Sequence, residues 1–555
     1  MTKRHGGGVT FVLSEGREPD RQVFQAYSVN GKEDGLEVPV QIDTPTPKSP
    51  RRSVRMKPIF GTQSRHRFAK IAGSTAHVSY ASKSAQTAAL LSADQVQLYD
   101  RLLDVGVGPL QTPTATDLTN VAEAMTSGGF VEPQQSTEIP AVMTYFGQFL
   151  AHDVTHLQWR PQESAWANLR AGHSLDFGTV LTQTDLSHPQ NSNWNCHAGV
   201  CLGETTTAGE YRDLPRSLLP NGQSCTSDAR NDTNLALAQI IVLLTRFLHA
   251  LRQHNPTLSV EQVATLTAQH LQAVVLDDYL RTICDPDTWQ DILDNGRSLV
   301  WTDKCKPFFV PIEFAAAGFR FGHSMVRDMY AHWGDSDQFM FATTFLRFVH
   351  DPPGLASDLT NGRLGSIWAH DWRAFSRLAD AGDMLRAARI DPNIAFAFRD
   401  LSAGHFALKN APVAGATINL AHHTLKRQYT LGLPTGQQLA QLAGAPVMSS
   451  AEVLGTGYPN IAAAIAQAGF GTDTPLWFYI LREAEFFHGG GRLGPLGSRL
   501  VCETLHASIE NSAVSILTDT GGPAPEISFV PTMPRVTNGG LYKIEDIIAL
   551  AYPAP

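Results

Sequence analysis

The segment "YFGQFLAHDVTH", residues 145–156, places a glutamine, two histidines and an aspartate within about three turns of a possible helix. Residues four apart share one helix face, so Gln148, His152 and His156 would form a single stripe. The zinc motif His-Glu-x-x-His is the nearest metal pattern, but Asp153 replaces its glutamate and no third ligand follows at a convincing spacing. Taken alone, the segment favours histidines that make local hydrogen bonds.

The composition indicates a globular protein. The chain has 555 residues, of which 43% are hydrophobic and 17% are charged, and its net charge is −9. This balance supplies apolar side chains for one large core or several smaller ones. The negative charge argues against nucleic-acid binding, which depends on Lys and Arg neutralising phosphates. We expect no transmembrane segment, because no stretch reaches the roughly 20 apolar residues that span a bilayer.

The N-terminal region differs from the rest of the chain. Residues 1–60 include "QIDTPTPKSPRRSVRMKP", which is rich in Pro, Ser and basic residues and predicts a flexible arm. The N-terminus lacks the apolar core of a signal peptide, so we expect a cytoplasmic protein. Cys196, Cys201 and Cys225 cluster in a polar loop, and their spacing leaves a disulfide, a metal loop and free thiols all open.

Apolar residues recur at helical spacing through most of the remaining chain. The polar stretch 157–229 predicts mostly loop, and alternation typical of strands is rare. The sequence therefore predicts a mainly α fold with long ordered loops and little β structure. The segments with a helical pattern are 92–106, 138–157, 234–256, 259–284, 313–333 and 474–494, the last ended by glycines.

Four further segments change the interpretation of residues 145–156. In chain order, "DARNDTN" contains Arg230, "GFRFGHSMVR" contains His323, "HHTLKRQYTLGLPTGQ" contains Arg427, and "TPLWFYILREAEFFHGGGRLGPLGSRLV" follows. Together, over roughly residues 140–510, they resemble the animal-type haem peroxidases of the peroxidase–cyclooxygenase superfamily, in particular the bacterial branch. The resemblance implies one large helical haem peroxidase domain over residues 61–555. The segment "RQHN" also matches the family, and we interpret its His254 as buried polar packing.

The resemblance implies a role for each matching residue. Gln148 and His152 would form the distal side of the haem, where histidine transfers a proton from one peroxide oxygen to the other. Arg230 would stabilise the charge that develops as the O–O bond breaks. His323 would bind the haem iron from the proximal side, and Arg427 would pair with a haem propionate. His156 would be a local structural residue.

Several positions depart from the family pattern. Ala151 and Thr233 occupy the positions of the two carboxylates that form ester bonds to haem in many members, which implies non-covalent haem b. Thr424 occupies the position of the asparagine that accepts a hydrogen bond from the proximal histidine, while the nearby Asn419 is out of register. The resemblance thus implies a weaker or differently tuned proximal bond.

The family also holds a calcium ion beside the distal helix. Asp153 matches one of its ligands, and "GHSLDFG" places Asp176 at the centre of the best match to the rest of the site. Gly172 and Gly178 replace the flanking side-chain ligands, and "LTQTDLS" is no better a match. Calcium needs six to eight oxygen ligands, so calcium is a possible second cofactor, with a local capping role as the alternative for Asp153.

Three functions follow from the resemblance. The first is a peroxidase that reduces hydrogen peroxide and oxidises small electron donors, such as phenols or halides, through an oxoferryl intermediate. The second is a haem-binding protein with weakened catalysis, suggested by the departures above. The third is a fatty-acid dioxygenase, whose radical-forming tyrosine lies three residues before the proximal histidine. Arg320 occupies that position, and spacing supports neither Tyr145 nor Tyr330 as a substitute.

Overall fold

The computed structural model describes sixteen segments of the chain and divides it into two compact units, Met1–Ile59 and Phe60–Pro555. In the first unit, strands β1 (Phe11–Glu18) and β2 (Arg21–Ser28) form an antiparallel hairpin that the sequence analysis did not predict. The described residues are 11–18, 21–28, 97–98, 101–103, 113–128, 135–160, 165–168, 173–181, 194–197, 199–216, 224–330, 340–341, 363–380, 383–402, 417–537 and 540–553.

The second unit is mainly helical, as predicted. Its described α-helices are α1 Ala115–Met125, α2 Val142–Val154, α3 Gly178–Leu181, α4 Leu235–His254, α5 Val260–Val274, α6 Leu280–Ile283, α7 Pro286–Asn295, α8 Ile312–Ala316, α9 Leu420–Thr430, α10 Gly436–Leu442, α11 Ser450–Leu454, α12 Pro459–Gln467, α13 Leu476–His488, α14 Pro495–Glu510 and α15 Ile544–Ala551. A π-helical turn, Val275–Tyr279, joins α5 to α6, and 3-10 turns cover Ala229–Asp232, Gly318–His323, Ser366–Trp368 and Phe396–Phe398.

The strands of this unit are short, and those described pair antiparallel in small sheets. Strands β3, β6 and β5 make one three-stranded sheet in that order, and the others pair as β4–β11, β7–β8, β9–β10, β12–β13 and β14–β15. They are β3 Gln97–Leu98, β4 Gln135–Pro140, β5 Leu157–Arg160, β6 Ala165–Asn168, β7 Trp194–His197, β8 Val200–Gly203, β9 Met329–Tyr330, β10 Met340–Phe341, β11 Arg386–Ala388, β12 Leu401–Ser402, β13 Thr417–Ile418, β14 Leu517–Thr518 and β15 Glu526–Ile527.

Helix α4 lies in the core. Asn234 caps it by accepting the backbone N–H of Leu237, and apolar residues of α4 are buried on all its faces. It packs against α2, α5 and α15. Leu235–His254 is long and apolar enough to cross a membrane, but 89% of its most apolar window is buried inside the protein. Such burial is typical of a core helix, since a helix that is hydrophobic all round needs apolar neighbours.

Three predicted helices are wrong in part. Within 138–157, residues 138–140 belong to β4, the α-helix is Val142–Val154, and Leu157 begins β5. Within 92–106, Gln97 and Leu98 pair as a strand with β6. Within 313–333, the α-helix ends at Ala316, a 3-10 turn follows, and residues 329–330 are a strand. At Gly318 an added Cβ would lie 2.5 Å from Leu500 Cδ2 of α14, so close packing occurs where the α-helix stops. Helical periodicity alone does not register such long-range contacts.

The disulfide alternative for the cysteine cluster is the one that the structure contains. Cys196 and Cys201 are register partners across β7 and β8, and they form a disulfide. Cys225 is buried and lies outside this bond. The buried-packing interpretation of His254 is wrong, because its ring is exposed at the end of α4 and contacts the carbonyl oxygen of Ala250.

Candidate active site

Helix α2 carries the segment with which the sequence analysis began. Its first residues are fixed from outside, since the N–H of Val142 donates to the carbonyl oxygen of Phe375. Along the whole helix, all residues are buried except Gln148, Ala151 and His152. These three positions fall on one helix face. The predicted distal stripe is therefore the single accessible face of an otherwise enclosed helix.

Two asparagines contact this stripe from the segment that follows Asp228. Asn231 Oδ1 lies 3.1 Å from His152 Nδ1, and Asn234 Nδ2 lies 3.4 Å from Gln148 Oε1. Asn231 has no exposed surface, and its Nδ2 has no hydrogen-bond partner in the part of the chain that the structure describes. Neither asparagine could be recognised from the sequence motif, because the motif marks the arginine of this segment and gives no weight to its neighbours.

Arg230 lies in the 3-10 turn Ala229–Asp232, and its guanidinium is engaged by protein groups. Its Nε and Nη2 donate to the Asp228 carboxylate. Nη2 also donates to the carbonyl oxygen of His152 at 2.8 Å, and Nη1 donates to that of Thr155 at 2.7 Å. These bonds use four of the five guanidinium N–H groups. Arg230 thus fastens the C-terminal end of α2 to the turn, and its predicted role in catalysis remains a prediction.

A buried ion cluster holds the other end of this turn. Arg216 donates to both carboxylate oxygens of Asp213 and to both of Asp232, at 2.8 to 3.1 Å. Burial raises the pKa of Asp213, whereas the Arg216 guanidinium opposes that shift. Breaking such a buried cluster is strongly destabilising. The cluster therefore holds the 3-10 turn Ala229–Asp232 in place.

His323 ends the 3-10 turn Gly318–His323 and is partly accessible. Its Nδ1 lies 3.5 Å from Thr424 Oγ1, which itself donates to the carbonyl oxygen of Leu420. The structure therefore brings together the two residues that the sequence analysis paired, at the long limit of a hydrogen bond. Burial, together with the nearby guanidiniums of Arg320 and Arg427, holds the pKa of His323 well below its usual range. Asn419 instead caps α9 by accepting the backbone N–H of His422.

Arg427 lies one turn after Thr424 on α9. Its Nη1 is buried and has no hydrogen-bond partner among the residues described. Burial lowers the pKa of Arg427 to about 10, and no anion in the described part of the chain opposes that shift. A buried cation without a counter-ion is costly. The side chain is thus suited to an anionic ligand beside His323.

The predicted calcium ligands lie near one another but bind protein donors. Asp153 accepts the N–H groups of Phe177 and Thr179 and the Thr179 hydroxyl, at 2.8 to 3.2 Å. Asp176 accepts the hydroxyls of Ser174 and Ser512. The two backbone N–H groups that face Asp153 are the opposite of what a cation requires. The described segments contain no group of three or more His, Cys, Asp or Glu residues that could hold a metal ion.

Ala151 and Thr233, the two residues for which the resemblance implies carboxylates in other members, belong to α2 and to the cap of the turn Ala229–Asp232. Ala151 shares the accessible face of α2 with His152. Thr233 is buried, and its hydroxyl donates to the carbonyl oxygen of Arg230 at 2.8 Å. Neither side chain can form an ester with haem. Tyr145, one turn before Gln148, is buried and donates to the Tyr330 hydroxyl at 3.2 Å.

Solved structures provide the comparison that decides the fold. Peroxidase A from Dictyostelium discoideum superimposes with a TM-score of 0.50 at 15% identity, over 76% of this chain and 88% of that one. The fatty acid α-dioxygenases of Oryza sativa and Arabidopsis thaliana give TM-scores of 0.56 and 0.51 at 13% identity. They cover 83% and 80% of this chain and 81% and 76% of their own.

The chain shares the fold of these peroxidase and dioxygenase structures. Identities of 13–15% establish the fold and nothing finer, so neither the branch nor the activity follows from these structures. Comparison of the sequence with protein-family models and with curated proteins finds no match.

Proposed function

We propose that the protein is a haem-dependent peroxidase that reduces hydrogen peroxide and oxidises a small organic donor or halide. The observation that carries the proposal is the buried Nη1 of Arg427, which has no hydrogen-bond partner among the described residues and lies close to the neutral ring of His323. A haem presents an iron that takes a neutral imidazole and a propionate that takes a guanidinium. Both requirements are matched by residues within one small region of the fold.

The residues present fit a non-covalently bound haem b. His323 would bind the iron through Nε2, with Thr424 as the acceptor for Nδ1–H, and Arg427 would bind a propionate. Ala151 and Thr233 offer no carboxylate for an ester bond. When bound, haem would supply the redox chemistry of peroxide cleavage.

The remaining steps belong to the side chains on the accessible face of α2. His152 Nε2 would take a proton from one oxygen of hydrogen peroxide and return it to the other oxygen, which leaves as water. Gln148 would hold a water or donor in place through its amide. Arg230 would contribute its positive charge from the end of α2, although most of its donors contact Asp228 and backbone carbonyls.

A fatty-acid dioxygenase is the second candidate, because the α-dioxygenase structures have TM-scores similar to that of the peroxidase. Arg320 at the position three residues before His323 weighs against it, since a guanidinium cannot form the radical that a tyrosine forms there. The buried Tyr145–Tyr330 pair is the phenolic alternative near α2. Oxygen consumption with palmitic acid in the absence of peroxide would favour the dioxygenase.

Haem binding is the first test. Full-length protein supplied with haem should show a Soret band that His323→Ala loses or shifts, because the variant lacks the proximal ligand. His254→Ala is the matched control, since His254 is an exposed histidine at the end of α4. Acid–acetone should extract all the haem. Absence of a Soret band in the wild-type protein would disprove the proposal, and haem retained on the protein would disprove non-covalent binding.

Peroxide then separates a peroxidase from a haem-binding protein with weakened catalysis. Addition of hydrogen peroxide should convert the Soret spectrum rapidly in the wild-type protein. In His152→Ala we expect the conversion to be slower by about 10²–10⁴-fold, the usual contribution of a general acid–base group. A wild-type spectrum that peroxide does not change would favour the haem-binding alternative.

The cellular location also remains a proposal. The sequence predicts the cytoplasm, whereas the Cys196–Cys201 disulfide is a bond that persists mainly in oxidising compartments. A thiol count on protein purified under alkylating conditions would distinguish the two. Two additional free thiols relative to the disulfide-bonded protein would favour the cytoplasm.

A further inference from the structure

We propose that Asn231 is the positioning residue for His152 and that its side-chain oxygen keeps the ring proton on Nδ1. This inference rests on the proposed function for its consequence in turnover, whereas the position of the proton is a property of the protein alone. The contact that carries it is the 3.1 Å separation of Asn231 Oδ1 and His152 Nδ1. A carbonyl oxygen at this distance needs a proton on the nitrogen. In the neutral ring, Nε2 then has the lone pair.

The surroundings of Asn231 restrict its movement. The residue has no exposed surface, and its backbone N–H donates to the carbonyl oxygen of Asp228 within the 3-10 turn. Arg230 ties this turn to the carbonyl oxygen of His152 itself, and Arg216 holds Asp232 at the other end of the turn. The amide is thus held against the ring by a frame that already includes the C-terminal end of α2.

A change in charge selects one orientation of the amide. When a base at Nε2 takes up a proton, the imidazolium carries hydrogens on both nitrogens. Asn231 Oδ1 can accept the Nδ1 hydrogen both before and after this event. The opposite orientation, with Nδ2 facing the ring, suits only a neutral ring with its proton on Nε2, which could not act as a base. Only the oxygen-inward orientation therefore serves a group that gains and loses a proton.

The position of His152 in the last turn of α2 also favours a ring that can take up a proton. His152 lies near the C-terminal end of α2, where the helix dipole stabilises positive charge. Asn231 Nδ2 is left buried without a partner among the described residues, a state that is costly in folded proteins. Bound water or peroxide could accept that N–H, so the same amide offers a donor near the proposed reaction site.

The first experiment determines directly which ring nitrogen of His152 carries the proton, and it needs no haem. Histidine side chains of the full-length chain are labelled with ¹⁵N, and His152 is assigned by comparison with His152→Gln. Long-range proton–nitrogen correlation at mildly alkaline pH, where the ring is neutral, should show a protonated Nδ1 and an unprotonated Nε2. In Asn231→Leu the proton should redistribute towards Nε2. A wild-type ring with its proton on Nε2, or a tautomer unchanged in Asn231→Leu, would overturn the inference.

Two other variants separate positioning from general structural support. Asn231→Asp retains an acceptor of the same reach and should preserve the Nδ1–H signal. Asn231→Ser, whose hydroxyl is too short to reach the ring, should behave like Asn231→Leu if the leucine variant does not fold. Asn295→Leu is the matched control, because Asn295 is an exposed helix residue that donates to Asp291. Equal loss of the Nδ1–H signal in Asn231→Asp and Asn231→Leu would point to a purely structural role and overturn the inference.

The second experiment measures the consequence in protein loaded with haem. Hydrogen cyanide releases its proton to a distal base as the anion binds ferric iron, so cyanide affinity reports on Nε2 without turnover. Asn231→Leu should weaken cyanide binding by about tenfold, the effect of one lost hydrogen bond. Asn231→Asp should restore it. Unchanged cyanide affinity in Asn231→Leu would overturn the inference. Failure of the wild-type protein to take up haem would instead count against the proposed function, and the tautomer measurement would then decide the role of Asn231.

Discussion

Asp153 is a buried carboxylate whose two oxygens accept three protein donors. Phe177, one of these donors, has a backbone φ of 56°, a left-handed conformation that costs a side chain of this kind about 1–2 kcal/mol. The neighbouring Thr179 donates through its N–H and its hydroxyl. The hydrogen bonds to Asp153 thus hold a strained turn in place. These contacts agree with a local capping role for Asp153, the alternative to calcium binding.

Removing this carboxylate should destabilise the protein. We expect Asp153→Ala to lower the free energy of unfolding by about 2–4 kcal/mol, because it leaves buried donors unsatisfied. Asp153→Asn retains one acceptor and should lose less. Urea denaturation measures both. Addition of a calcium chelator to the wild-type protein should leave the midpoint unchanged, and a lower midpoint would instead support the predicted calcium site.

At the residue level, spacing along one helix was enough to predict which side chains share a face, whereas the roles of these residues stay predictions. Gln148 and His152 lie on the accessible face of α2, and Thr424 lies beside His323 as its motif position required. The contacts of Arg230 could not be predicted, because they depend on Asp228 and on two carbonyls at the end of another helix. A motif identifies a residue type, whereas the partners of its side chain come from tertiary packing.

At the scale of elements, Gly147 allows α2 to approach the π-helical turn Val275–Tyr279. A Cβ added at Gly147 would lie 2.3 Å from Tyr279 Oη, and Tyr279 is buried with its ring edge against Phe146. Within a helix, Gly→Ala ordinarily stabilises by about 1 kcal/mol. Here we expect Gly147→Ala to destabilise by about 1–3 kcal/mol through overpacking, measured by thermal denaturation.

The hydroxyl of Tyr279 provides the control for this prediction. In the double variant Gly147→Ala with Tyr279→Phe, the closest remaining atom is Cζ at 3.1 Å, so part of the lost stability should return. If Gly147→Ala is as stable as the wild-type protein, the two elements are not in the close contact described. Sequence periodicity predicted both helices but not this contact, since it joins residues more than 130 positions apart.

At the scale of the whole molecule, buried titratable groups set the response to pH. Burial lowers the pKa of His173, His370 and His506 to about 3 and that of His249 and His270 to about 4. Burial also raises the pKa of three carboxyls, Glu313, Asp391 and Glu483, to about 7. Composition reveals the number of such groups but not their burial, so this balance could not be predicted from the sequence.

The buried histidines and the buried carboxyls change the free energy of unfolding in opposite directions as pH falls. Each buried histidine favours the folded state above its unfolded pKa of about 6.5, and this contribution is lost as pH falls towards 3 or 4. Each buried carboxyl favours the folded state below its unfolded pKa, about 4.5 for the two glutamates and 3.8 for the aspartate, and this contribution is lost as pH rises towards 7. Between about pH 4.5 and 6.5, unfolding therefore takes up protons at these histidines and releases protons at these carboxyls. Acid destabilises the protein through the histidines in this window, and the carboxyls oppose that effect.

His506 allows this balance to be tested at one site. Its Nδ1 accepts a hydrogen bond from Arg297 Nη1 at 2.6 Å, so the ring must be neutral, and Lys304 adds to the repulsion of a proton. Glutamine retains an acceptor and cannot titrate. The loss of unfolding free energy between pH 7 and pH 5 should therefore be about 2 kcal/mol smaller in His506→Gln than in the wild-type protein, from about 1.4 kcal/mol per pH unit. The exposed His254→Gln should match the wild-type protein, and an equal loss in His506→Gln would show that His506 does not contribute to acid sensitivity.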